Sequence, residues 1–493
     1  MPLRPRLAAA PLRRIALAAV VPLALYAASR SEAHDWTSPA ATAAAQTQSH
    51  APDVFQPLWA GPPAGRPAAP SARDCRRAPQ PLEWRDAAAP EHRPYGDARR
   101  DERWRGRESA AAPLAKSADA AESMAPGAPP AALGSVAPQH HGRATRPRDE
   151  PVSAGVVDDN ADFGEFLAYR ARHTHLPVRP RDVSERYLLT VHDATGRPVP
   201  DAEVSLHAGG GALPLWARTD AGGQVWLHPR AMAEAAPPAL MEVQVHKAGA
   251  RGSALLRRGQ RDALQVRLDA RAPFERARLD LVFLIDATGS MADEIDKLKR
   301  SMRSMAEQIA RLPSRPDLCF ALVAYRDRGD AFFVRGADFS DDLDAFQREL
   351  GALRAGGGGD YPEALNEALH TTIHRLSWRG DGATRLVVLV ADAPPHLDYG
   401  APFYDDDMQG ALARGIKLFA VGASGLDPVG EYVFRQAAQY TGGRFVFLTY
   451  ARAGDPTSGP GRETAHDVGG YSVESLDRLV VRLVREELAR RPG

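Results

Sequence analysis

From Arg276 onward, continuous apolar runs alternate with stretches whose apolar residues recur every three or four positions. Residues 279–285, 318–325, 386–390, 416–421 and 445–448 are apolar on both faces, as strands buried inside a parallel sheet must be. Met291, Ile295, Leu298, Met302, Met305 and Ile309 step by four and three, which predicts an amphipathic helix. Asp341-Asp342 can start a second helix bearing Leu343, Phe346 and Leu350. Residues 362–374 predict a third, with Pro362 in its first turn, and Leu476, Leu479, Val480, Leu483, Val484 and Leu488 a closing one. Residues 331–339 read as an edge strand. Strands and helices alternating over short connections predict an α/β fold with a doubly wound, mostly parallel sheet over 273–493.

The period changes upstream. Between 161 and 272 the pattern is of short strands, 187–191, 202–206, 224–227, 241–246 and 264–268, separated by turn sequences such as Asp193-Ala194-Thr195-Gly196 and Asp220-Ala221-Gly222-Gly223. This predicts an all-β sandwich, preceded by a short helix over 162–172. Residues 34–160 are dominated by Ala, Pro, Arg and Ser without a sustained period, and are read as a disordered arm. His140-His141 in it reads as a solvated pair. Residues 1–33 have the form of a signal peptide: Arg4, Arg6, Arg13 and Arg14 precede an apolar stretch over 15–28, and Ser31-Glu32-Ala33 suits cleavage. The stretch is short for a membrane span and Pro22 interrupts it. The expectation is export to a periplasmic or extracellular location, with no transmembrane segment after cleavage.

At 493 residues the chain is long enough for two or three domains. Its formal net charge of zero provides no overall basic field, so nucleic acid is not an expected partner. The two cysteines, Cys75 and Cys319, cannot make a disulfide-dense scaffold. Cys319 sits in an apolar run and reads as a small buried hydrophobe; Cys75 falls in the arm, and the two are not expected to pair.

The chemistry is concentrated at strand ends. Asp286, Thr288 and Ser290 place three oxygen-bearing side chains at i, i+2 and i+4 directly after a buried strand, and Asp392 ends another. Ligands bind at such ends in open α/β sheets. Oxygen donors suit a hard divalent cation, Mg²⁺ first and Mn²⁺ or Ca²⁺ as substitutes. Hydroxyl ligands leave much of the ion's charge uncompensated, so it favours an incoming acidic group. The competing reading is that Thr288 or Ser290 caps the following helix.

The run Val282-Phe283-Leu284-Ile285-Asp286-Ala287-Thr288-Gly289-Ser290-Met291 resembles the start of a von Willebrand factor type A (VWA) domain with its metal-ion-dependent adhesion site. Tyr325-Arg326-Asp327, Gly358-Gly359-Asp360-Tyr361-Pro362-Glu363 and Asp392-Ala393-Pro394-Pro395-His396 extend the resemblance to one subgroup. It implies that Asp286, Thr288 and Ser290 form the first metal loop, with Asp392 acting through water. Where the fuller pattern has a ligating Thr, this chain has Gly359 and Asp360, so Asp360 is a further candidate ligand. Its alternative is a helix N-cap, with Glu363 three residues on completing a capping box. His396 is read as fixing its loop, Asp327 and Asp330 as a solvated turn, and Asp405-Asp406-Asp407 as a solvated helix start. Upstream, Gly196-Arg197-Pro198-Val199-Pro200-Asp201-Ala202-Glu203-Val204 and the Thr219-Asp220 turn resemble carboxypeptidase-regulatory or transthyretin-like modules, which serve as spacers or adhesion platforms.

No nucleophile elbow, zinc-type His pair or phosphate-binding Gly-Lys-Ser/Thr is read in the chain, so no catalytic residue is assigned. The expected function is a non-enzymatic, metal-dependent protein interaction with a partner that offers an acidic side chain. The alternatives are a structural envelope protein with a purely stabilising metal and a metal-assisted hydrolase.

Overall fold

The computed structural model describes residues 66–84, 151–208, 215–232, 236–269, 276–380 and 382–491, all within one compact unit. The signal segment, His140-His141 and most of the arm lie outside the described residues. In chain order the strands are β1 (Pro81–Trp84), β2 (Ser153–Val157), β3 (Tyr187–His192), β4 (Glu203–His207), β5 (Leu215–Arg218), β6 (Gln224–Leu227), β7 (Leu240–Lys247), β8 (Ala250–Arg257), β9 (Leu264–Arg267), β10 (Arg278–Asp286), β11 (Asp317–Tyr325), β12 (Val334–Ser340), β13 (Thr384–Ala391), β14 (Ile416–Gly422), β15 (Arg444–Thr449) and β16 (Val473–Ser475). The helices are α1 (Phe163–Arg172), α2 (Ile295–Ala310), α3 (Leu343–Ala352), α4 (Leu365–His374), α5 (Tyr404–Arg414), α6 (Pro428–Tyr440) and α7 (Leu476–Ala489).

The main sheet has nine strands in the order β1-β12-β11-β10-β13-β14-β15-β2-β16. The five central strands are mutually parallel, and every pairing outside them is antiparallel. The sheet is therefore mixed, where the apolar runs alone suggested a mostly parallel one. Alternation along β10 feeds two cores. Leu279, Leu281, Phe283 and Ile285 face α2, α3 and α7, while Val282 and Leu284 face the side covered by α4, α5 and α6. The expected edge strand exists as β12, but β1 pairs along its outer side and takes the edge itself.

Two parts of the 34–160 stretch are ordered into this sheet. β1 comes from its middle and β2 from its end. Cys75, just before β1, is disulfide-bonded to Cys319 of β11, with Cα atoms 6.0 Å apart, an ordinary span for such a bond. This corrects the expectation of two unpaired cysteines: Cys319 is fully buried, but as half of a cross-link. α1 begins at a capping Asp162, whose carboxylate accepts from Glu165 N at 3.2 Å. It packs on α6, where the Arg435 guanidinium lies 3.8 Å over the Tyr169 ring and pairs with Asp159.

Residues 187–267 form a three-stranded sheet, β6-β3-β9, and a four-stranded sheet, β5-β4-β7-β8. Buried ion pairs hold this part against the main sheet. Asp201 accepts from Arg385 Nη1 (3.0 Å) and Gly382 N (2.9 Å), and Lys417 bridges Asp220 and Glu487. The three guanidinium and ammonium groups of Arg385, Lys247 and Arg218 hold the Asp201 carboxyl far below its usual range against the opposing effect of burial. Arg385 and Lys417 sit at the N-terminal ends of β13 and β14. The small sheets thus occupy one end of the main sheet and leave the C-terminal ends of its parallel strands to the site.

Candidate metal centre

Parallel register brings the site together. Asp286 ends β10 opposite Tyr325 of β11, and Ile285 pairs with Val390 of β13, two residues before Asp392. The chain then turns tightly. Asp286 Oδ1 accepts from Thr288 N (2.9 Å) and from Thr288 Oγ1 (2.6 Å), and Thr288 Oγ1 stands 3.0 Å from Ser290 Oγ. Asp286 and Thr288 are fully buried and Ser290 is exposed. Thr288 precedes a 3₁₀ turn (Gly289–Asp293), but its side chain makes no capping bond, and α2 begins only at Ile295. The hydroxyl that could have capped a helix is committed to Asp286 instead.

The glycine-rich loop closes against this turn. Gly289 N donates to Gly357 O (2.9 Å) and Gly356 N to Ala287 O (3.0 Å), while Arg326 Nε donates to Ala287 O (3.1 Å). Gly358 has φ +72°, and a Cβ there would lie 2.8 Å from Glu363 Oε1 and 3.2 Å from Thr288 Cβ. Only glycine suits that backbone and that space. Gly358→Ala is expected to cost about 1–2 kcal/mol from the left-handed conformation alone, read as a lower urea midpoint.

Glu363, at capping-box spacing from Asp360, does not cap the helix. The helix begins at Leu365 with Ala364 as its N-cap, so neither Asp360 nor Glu363 serves a capping box. Glu363 is buried and faces the same centre as Asp286 and Asp392. Among the described residues, Asp286 Oδ2, Asp392 Oδ1 and Glu363 Oε2 are all buried without a hydrogen-bond partner. Such atoms are rare in folded proteins and call for a compensating group. Burial pushes the Glu363 carboxyl up to about 9, with Asp286, Asp327, Asp330 and Asp392 adding to it. Burial, then repulsion from Asp286, pushes Asp392 up to about 7, against the opposing effect of the Ser290 hydroxyl. Asp286 rises to about 6 through burial, held down by its two bonds from Thr288.

These shifts fix a pH dependence. Between the unfolded values near 4 and the folded values of about 6 to 9, the folded chain holds more protons than the unfolded one. In a chelator, stability is therefore greatest below about pH 4 as far as these groups are concerned, and falls as pH rises through 6 to 9. Mg²⁺ needs ionised ligands, so its stabilising effect should grow over the same range. Urea midpoints at pH 5 and pH 8, with and without Mg²⁺, test both signs.

Asp360 sits apart from the buried trio in its contacts. It is 61% exposed, and its Oδ2 lies 3.9 Å from His396 Nε2, which also stands 3.7 Å from Asp327 Oδ2. Asp327 is buried and accepts from Tyr399 Oη at 2.9 and 3.0 Å, so the expected solvated turn is a closed polar cluster. His396 is buried too, stacked 3.7 Å from the Tyr399 ring, with Nδ1 2.8 Å from Asp398. Asp330 braces the glycine loop by accepting from Gly358 N at 2.8 Å. The expected solvated start of α5 differs as well. Asp405 is buried against Arg179 and Arg181, and Asp407 is buried against His370 and His374.

With two carboxylates and two hydroxyls at or just after parallel strand ends, and a third carboxylate from the loop before α4, the centre has the donor chemistry of a hard-cation site. Comparison with known proteins gives the class: residues 280–392 match the von Willebrand factor A domain, and the chain carries that domain. Individual relatives match over the same scale. An alpha-protein kinase, vwkA, of Dictyostelium discoideum is 32% identical over 148 residues, 28% of this chain and 22% of its own length. Von Willebrand factor A domain-containing protein 7 of Homo sapiens is 36% identical over 94 residues, 19% of this chain and 10% of its own. A putative ariadne-like RING finger protein of Acanthamoeba polyphaga mimivirus is 29% identical over 121 residues, 24% and 12% respectively. The matches thus span less than a quarter of each relative, and what those proteins do elsewhere in their chains is theirs. VWA domains are typically protein-interaction modules, and no helix among the described residues is long and apolar enough to cross a membrane.

Proposed function

We propose that this is an exported, non-enzymatic interaction protein whose VWA head holds a divalent cation, Mg²⁺ in the first place, and offers it to a carboxylate of a protein partner. Asp286, Thr288, Ser290 and Asp392 would hold the ion, directly or through water. Glu363 supplies the third buried carboxylate at the centre, and Asp360, an exposed acid beside His396, is a further candidate ligand. The single observation that carries this reading is the set of buried, unpartnered carboxylate oxygens of Asp286 and Asp392 at adjoining strand ends and of Glu363 in the loop before α4. Buried charge of one sign without a counter-ion is strongly unfavourable, and a cation is the group that removes the deficit.

Two features favour a partner over a sealed structural ion. Ser290 is exposed, so one side of the centre faces solvent. Tyr361 is 47% exposed at the rim, its hydroxyl accepting from Asp427 N at 3.1 Å, and exposed aromatics make good interface anchors. The Cys75–Cys319 disulfide supports export, because such bonds persist in oxidising compartments. In this reading the two small sheets are a pedestal, similar to a carboxypeptidase-regulatory module, on a doubly wound head.

The test is retention of a partner from envelope extract on immobilised full-length chain, in Mg²⁺ and in EDTA. Capture that EDTA and Asp286→Asn both abolish is expected, with no turnover on ester, peptide or phosphate panels. Metal-induced stabilisation without capture would instead favour the structural reading, and metal-dependent turnover the hydrolase.

A further inference from the structure

Away from the strand ends, α4 and α5 bring together a second set of donors. His370 and His374 are one helical turn apart on α4, so their imidazoles share a face, with ring centroids 4.6 Å apart. Asp407 projects from the first turn of α5 between them. His370 Nδ1 lies 3.0 Å and His374 Nε2 2.9 Å from the same Asp407 Oδ1. The other carboxylate oxygen, Asp407 Oδ2, is buried and has no hydrogen-bond partner among the described residues. Asp407 is 3% exposed, while the two imidazole side chains are 35% and 31% exposed. A carboxylate fixed at the base of a pair of part-exposed imidazoles is a concave donor set open on one side.

Two of the three donor separations are close to those of a metal site. The three ligand atoms lie within 4.8 Å of one another. A tetrahedral Zn²⁺ with bonds of about 2.0–2.1 Å needs donors roughly 3.3 Å apart. Separations of 2.9 and 3.0 Å need to open by only a few tenths of an ångström. The room for the His374 ring exists because residue 410, three positions after Asp407 on the same helix, is glycine: a Cβ there would lie 2.9 Å from Cε1 and 3.0 Å from Nε2. Trp84 of β1, 6.2 Å from the His370 ring, flanks the set.

We propose that His370, His374 and Asp407 form a site for a borderline divalent transition cation of the Zn²⁺ class, clamping α4 to α5 with a fourth position open to water or an external donor. The donor chemistry separates it from the strand-end centre. Imidazole nitrogens favour Zn²⁺ and Co²⁺, whereas an all-oxygen cage favours Mg²⁺. The proposal stands whether or not the strand-end centre binds a metal.

The experiment is a Co²⁺ titration of the metal-stripped full-length protein, followed by its visible ligand-field absorption and by displacement with Zn²⁺. One saturable equivalent of absorbing Co²⁺, displaced by Zn²⁺, is expected. His370→Gln/His374→Gln should lose that equivalent, and Asp286→Asn should keep it. His173→Gln/His175→Gln, at another neighbouring histidine pair, should also keep it. A wild-type titration without saturable absorption overturns the site by itself, even if a variant fails to fold. Equal binding by wild type and a folded His370→Gln/His374→Gln protein overturns it equally.

Discussion

Asp286→Asn is expected to melt at a higher temperature than wild type in EDTA and at a lower temperature than wild type in excess Mg²⁺. The substitution keeps the shape of the side chain and an oxygen to accept from Thr288 N and Oγ1. It removes the most readily ionised of three buried carboxyls that oppose one another's charge. A carboxyl moved by burial from near 4 to about 6 carries on the order of 3 kcal/mol of unfavourable free energy when ionised. Without metal, losing that charge is a gain. With metal, the same change removes a charged ligand. A site saturated a hundredfold above its Kd contributes about 2.7 kcal/mol of stability, and the variant forfeits most of it. Ordinary core damage would lower the melting temperature in both buffers, so the crossing of the two curves is diagnostic.

Breaking the Cys75–Cys319 bond is expected to produce the largest loss of global stability. The cysteines are 244 residues apart in sequence. Chain-entropy accounting gives about 4.7 kcal/mol for a 100-residue loop, rising with the logarithm of its length, hence about 5.5 kcal/mol here. The bond anchors the segment that supplies β1, the edge strand alongside β12, and Trp84, over which the Arg375 guanidinium lies 4.5 Å from the ring. Cys75→Ser should lower the guanidinium midpoint and speed amide exchange over 76–84 and 334–340. Dithiothreitol should do the same to wild type and nothing further to the variant.

The central strands were legible because each is apolar on both faces, and α2 because its apolar residues recur at helical spacing. The turn after β10 was legible from its setting: Asp286, Thr288 and Ser290 follow a buried strand at alternating positions. What was not legible depends on distant partners. Pro81–Trp84 is a single short alternation whose partner, β12, lies some 250 residues on, so nothing local marks it as a strand. The cysteine pairing has no local signal either. Asp405 and Asp407 look like a solvated acidic run because Arg179, Arg181, His370 and His374, which bury them, arrive from other elements. Glu363 stands at capping-box spacing from Asp360, and only the later start of α4 frees it for the centre. Its signal was present as a second acid in the same loop, but spacing alone favoured Asp360.

Calorimetric titration of Mg²⁺ into the metal-stripped full-length chain tests the cage at the strand ends most directly, because Mg²⁺ discriminates against the imidazole set on α4. One saturable Mg²⁺ per chain is expected, absent from Asp286→Asn and Asp392→Asn and intact in His370→Gln/His374→Gln. Heats that do not saturate, or that are the same in wild type and both aspartate variants, would contradict it.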